Sequence, residues 1–363
     1  MNTAHVAARR IAALGAGAAL MLTSASCGPA RSAAGATDAA RPAGQPDDTD
    51  GSTQAASIEH SQVRERALML LANATASPDA EERYNAIEAL IPVPSRLEPA
   101  VRRGLIDPDD RVRIVSAMAV GKAQLKTVAP FVRPLLTDKS EMVQASAVYA
   151  LTRCGEQVSP QPLGSLLDHP RPLMRAHAAW ILGELGDESA LPMVREAARA
   201  PMGRADPAQT RIYRLQLCEA MIKLGDHRAL DEVRAALFPS RPEELEATAL
   251  AVQIIGLVKD RPSQGQLVLL IDRVDSQTGR MPPEVRLAAA AALARMGQRQ
   301  GGYVAQEHRS SPVGPIRAQS ALLYGEIGSR SNLPVLNEMM GDSDPLVRVA
   351  AAAAVLKIMD PAR

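Results

Sequence analysis

Six histidines, three cysteines and a recurring arginine are the residues of this chain from which chemistry could be built. His5, His60, His169, His177, His227 and His308 are scattered, and none combines with cysteine at a metal-ligand spacing. No phosphate-cradling glycine loop and no serine nucleophile elbow occurs. Arginine recurs at Arg83, Arg113, Arg175, Arg214, Arg286, Arg317 and Arg348, which invites a phosphate-binding ladder. Carboxylates three or four residues earlier, at Asp79, Asp109, Asp110 and Asp344, favour a structural role instead, capping helices and pairing along a stack. The chain is therefore expected to be non-catalytic, with no cofactor and no metal.

The arginines mark a repeat. Met174 to Asp187 aligns with Tyr213 to Asp226, and equivalent anchors fall at Arg83, Arg113, Gln144, Arg175, Arg214, Thr248, Arg286, Arg317 and Arg348. Most spacings are 30 or 31 residues; those after Arg175, Arg214 and Thr248 stretch to 39, 34 and 38. Apolar or small residues recur three, six, seven and ten places after each anchor, one face of a helix. Gly155, Gly186, Gly225, Gly297 and Gly328 lie eleven places after theirs, where a left-handed C-cap is expected. A second amphipathic stretch follows in each unit. The expected fold is all-α, a right-handed solenoid of about nine stacked helical hairpins over residues 61–363, each unit too small to bury its own apolar face. On this frame Cys154 and Cys218 fall on core positions two units apart. At about 10 Å per helix layer they stand roughly 20 Å apart, too far for a disulfide.

The stretch Asp344 to Leu356, together with Asp109 to Gly121 and Glu284 to Gly297, is similar to the HEAT-like repeat of the phycobilisome-lyase type. That resemblance implies a solenoid presenting a curved surface. The family includes scaffolds, chromophore lyases and a di-iron hydroxylase whose irons are held by His-Glu dipeptides. No histidine here precedes a glutamate, so the resemblance does not extend to that metal site. The function expected is a scaffold binding a protein or peptide on its curved face, the alternative being a lyase-like or chaperone-like helper in cofactor or client attachment.

Positions two, five and nine after the anchor form one helix face. The fifth place reads Met118, Tyr149 and Trp180 in consecutive units, an apolar strip bordered by His177 and by Lys122, Arg153 and Glu184 at the ninth place, which is expected to be a solvated edge. Aromatics flanked by charge suit an interface; the competing reading has Trp180 fill a gap between helices. Ala291 and Ala353 occupy the fifth place elsewhere without sign of a groove, and no convergence of polar groups on a pocket is evident. The long spacers, Ala200 to Gln209, Phe238 to Glu244 and Asp275 to Pro283, are either binding loops or length variation.

A formal charge of +1 and 2% aromatic content argue against nucleic acid. Residues 1–27 have the layout of an export signal: basic Arg9 and Arg10, an apolar run from Ile11 to Leu22 too short to span a bilayer, and small residues leading to Cys27. They resemble a bacterial lipoprotein processing box with Cys27 as the lipidated residue, although Ser24 stands where Leu is usual; ordinary cleavage and a retained anchor are the alternatives. Residues 28–60, rich in Ala, Gly, Pro and Asp, read as a flexible tether of roughly 30 Å root-mean-square span. The expected location is the bacterial envelope, lipid-anchored on the extracytoplasmic side of a membrane or periplasmic. Cys27→Ala is expected to abolish palmitate labelling and detergent-phase partitioning; an unlabelled wild type would refute lipidation.

Overall fold

The computed structural model describes residues 49–203, 206–275 and 279–361. Cys27 and residues 1–48 lie outside them. The described residues form eighteen α-helices. Nine carry the anchors: α2 (Ala80–Ala89), α4 (Asp110–Lys122), α6 (Glu141–Arg153), α8 (Pro172–Leu185), α10 (Pro207–Lys223), α12 (Leu245–Val258), α14 (Pro283–Arg295), α16 (Gly314–Ile327) and α18 (Pro345–Met359). The others alternate with them: α1 (Thr49–Ala74), α3 (Pro94–Gly104), α5 (Ala129–Val132), α7 (Gln161–Leu167), α9 (Leu191–Arg199), α11 (Leu230–Ala235), α13 (Gln264–Asp272), α15 (Gly302–His308) and α17 (Leu333–Met339). A two-residue antiparallel ladder, Val274–Asp275 against Gly279–Arg280, stiffens one of the long spacers.

Each even-numbered helix packs on the next, from α2 to α18, and α18 packs on α2. The solenoid thus closes into a ring. α1 is wedged between α18 and α2. It buries Val63, Ala67, Leu68 and Leu71 on one face. Polar contacts seal the joint: Arg64 pairs with Asp360 at 2.8 Å and Arg66 donates to the Asn337 carbonyl at 2.9 Å. α1 starts at Thr49, inside the stretch expected to be tether.

Two local rules hold the units. First, the anchor guanidinium is a staple. Arg113 donates from Nε and Nη2 to Asp138 of the next loop, at 2.9 and 3.0 Å, and from Nη1 to the Asp107 carbonyl behind it at 2.7 Å. Arg83 with Asp107 and Arg317 with Asp342 repeat the arrangement. The capping aspartates are different residues: Asp79, Asp109 and Asp344 accept from the second backbone N–H of their helices. Where a spacer is lengthened the anchor finds a carbonyl instead, as Arg175 does at Pro201, 2.8 Å away. Second, small residues let helix backbones touch. A Cβ on Gly256 would lie 2.7 Å from Ala292 Cα, and one on Gly325 would lie 2.9 Å from Ala354 Cα.

All five glycines at the eleventh place have positive φ, from 69° to 94°. Of the four units lacking glycine there, two keep the left-handed turn regardless, with Gln124 at φ 50° and Lys259 at φ 54°. A left-handed L-residue costs about 1–2 kcal/mol, partly offset by the greater unfolded-state freedom of glycine. Gln124→Gly is therefore expected to stabilise the fold by about 0.5–1 kcal/mol, whereas Gly256→Ala should cost about 1–3 kcal/mol through overpacking. Urea midpoints at unchanged slope check both.

Candidate functional site: the axial cavity

The face at positions two, five and nine points neither to bulk solvent nor to an open concave surface. Ring closure turns it toward the axis, where a cavity of 780 Å³ is lined from α2, α4, α6, α8, α12, α14, α16 and α18. It is off-centre because the fifth place changes size around the ring. On the α6 and α8 side Tyr149 and Trp180 fill the space; on the other side Ala291 and Ala353 leave it open. The alanines that gave no sign of a groove are the ones that make the cavity.

The expected exposed strip is not formed. Met118 and Tyr149 are 3% and 2% exposed and belong to the core, Tyr149 filling the space above Gly121. Trp180 is half-buried against the same core, with the Lys122 ammonium 5.9 Å from its ring centre and His177 at 6.2 Å between centroids. His177 Nε2–H donates to the Met142 carbonyl at 3.2 Å, and burial holds the imidazole down at about 4, so it is neutral at pH 7. Arg153 is exposed, and Lys122 and Glu184 are half-buried. Arg153, Lys122, Glu184 and Tyr149 all line the cavity.

Apart from the exposed Arg153, the ninth place is largely ion-paired rather than a solvated edge. Lys223 bridges Glu184 and Glu219, each at 2.5 Å, and Glu326 receives Arg295 at 2.7 Å and Lys357 at 2.7 Å. Glu326 is pushed up by burial, but Arg295 and Lys357 outweigh this and hold it below the usual carboxylate range. Burial holds Lys357 below the usual lysine range despite Glu326, and Arg295 adds to the fall.

Polar groups do converge on the axis. Asn85, Glu88, Gln216, Gln253 and Gln319 each carry buried side-chain atoms with no hydrogen-bond partner, and all lie at the second or fifth place after their anchors. Glu88, Gln253 and Gln319 line the cavity itself, with Glu284 from the start of α14. Native proteins leave few such groups unpaired, since each costs about 1–3 kcal/mol. Burial pushes the Glu88 carboxyl up to about 8, against the opposing pull of Lys122, and pushes Glu284 up as well. These residues sit at repeat positions that alternate with alanine and leucine, and a polar residue recurring on one face was the signal available in the sequence. Cys154 and Cys218 are buried free thiols. Among the described residues no group of three His, Cys, Asp or Glu is placed to hold a metal, and no helix is long and apolar enough to cross a membrane.

The family profile of HEAT repeats matches residues 67–152, 96–172 and 129–206. With the helical architecture, this makes the chain an all-α solenoid whose residues 67–206 match HEAT repeats. Among solved structures it is similar to the complex of CpcE and CpcF of phycocyanin lyase from Nostoc sp. PCC7120, at 18% identity over 70% of this chain and 92% of that one, with a TM-score of 0.35. It is also similar to Kap121p, at 12% identity over 80% of this chain but 41% of that one, with a TM-score of 0.30. No curated protein matches the chain in sequence.

A carboxyl whose pKa is raised on folding lends stability that is complete below its unfolded value, near 4.5, and is lost as the pH climbs through about 8. Glu88→Gln mimics the protonated form. Its melting temperature should match wild type at pH 4 and exceed it by a margin that widens from pH 5 to 9; a pH-independent gap would refute a neutral Glu88.

Proposed function

We propose that the chain is a non-catalytic binding scaffold, held at the extracytoplasmic face of a bacterial membrane by lipid on Cys27, that takes a short segment of a partner protein or peptide into its ring. The observation carrying this reading is the set of buried, unpartnered polar side chains lining the axial cavity, Glu88, Gln253 and Gln319. Their unmade hydrogen bonds are what an occupant supplies. The cavity volume of 780 Å³ suits a few residues of extended chain rather than a folded domain.

Ala291 lines the cavity and is only partly buried, so Ala291→Trp should fill the space and leave the ring intact. Tagged wild type and variant, purified from the native envelope, distinguish the sites. Loss of the co-purifying partner in the variant, with an unchanged melting curve, is the expected result; undiminished recovery would move binding to the outer helices.

A further inference from the structure

We infer that the ring receives its peptide by the free C-terminal end, with the terminal carboxylate at Arg295 and Lys357 and the preceding backbone amides at Gln253 and Gln319. This rests on the cavity being a peptide site. Five carboxyl groups and five cationic side chains line the wall. Asp360 is paired with Arg64 at 2.8 Å, and Glu184 with Lys223 at 2.5 Å. Glu88 and Glu284 are driven toward the neutral form by burial. Glu326 is the sole acid in its cluster and serves two bases, Arg295 through Oε1 at 2.7 Å and Lys357 through Oε2 at 2.7 Å. Both of its oxygens are taken. Of the three side chains, Arg295 and Glu326 are only 13% and 9% exposed and Lys357 is 38% exposed, so the cluster holds one positive charge in excess within a largely desolvated wall. An uncompensated charge in such surroundings is costly, and an anion entering the cavity relieves it.

The body of the occupant follows from the surfaces around that cluster. Ala288, Ala291, Leu322 and Ala353 form a narrow apolar wall. A fatty acid would satisfy this wall and the cation, yet leave Gln253 and Gln319 unpaired, each with a buried amide oxygen lacking a partner. An extended peptide meets both demands, because its backbone presents N–H and C=O groups at regular intervals while small apolar side chains cover the wall. An amine-headed ligand is disfavoured for the converse reason: every acid on the wall is already ion-paired or held toward neutrality.

The test uses the full chain purified in detergent, immobilised, with two pools of random tetrapeptides labelled at the N-terminus. One pool ends in a free carboxylate and the other in an amide. Wild type is expected to retain the acid pool at least tenfold over the amide pool. Lys357→Met should bring that ratio close to one, and Lys357→Arg, which keeps the charge, should restore it; circular dichroism confirms that both remain folded. Equal retention of the two pools by wild type, abolished by Ala291→Trp, would overturn the carboxylate assignment while sparing the peptide site. Retention of neither pool would overturn the peptide reading itself. Decanoate displacing the acid pool at concentrations below those of the peptides would make the occupant a fatty acid and sink the proposal.

Discussion

Backbone contact between successive anchor-bearing helices is the constraint from which the rest of the molecule follows. Gly256 against Ala292 and Gly325 against Ala354 bring neighbouring helices closer than any larger side chain permits. Close spacing shortens the inner circumference, and a short circumference lets nine helices meet again at α18 and α2. The odd-numbered helices, set further out, carry longer apolar residues such as Leu97, Leu163 and Leu336, all fully buried. The abundance of alanine is thus the geometric condition for curvature, since a ring needs a thin inner layer and a thick outer one.

The guanidinium staples act at right angles to those contacts. Each joins the loop before a helix to the loop before the next one, so the same side chain sets both the start of its unit and the spacing to its neighbour. Such pairs are strong when complete and costly when one member is lost. Arg175, whose following loop is longer, donates from Nη2 to the Pro201 carbonyl, while its buried Nε has no partner.

Most of the fold was legible in the sequence because its rules are local. The period, the helix face and the glycines at the eleventh place can all be counted along the chain, and those glycines have positive φ. Gln124 and Lys259 escaped notice because a search for left-handed turns looks for glycine. The site was less legible. The sequence singles out the face at positions two, five and nine, but whether it looks outward or toward an axis depends on closure, and closure depends on pairs such as Arg64 with Asp360, 296 residues apart. No periodicity encodes such a contact. Without it, Met118 and Tyr149 look like surface residues, and glutamines at Gln253 and Gln319 look like ordinary solvated positions.

The wedging of α1 between α18 and α2 has a consequence for how this molecule can change over generations. An open solenoid gains or loses a hairpin at little cost, because every interior unit sees the same neighbours. Here an extra hairpin would displace α18 from α1 and α2, and a missing one would overclose the gap. Tandem duplication, the ordinary route by which repeat arrays grow, is closed to it. Length can still vary in the connections, where the spacings of 39, 34 and 38 residues lie.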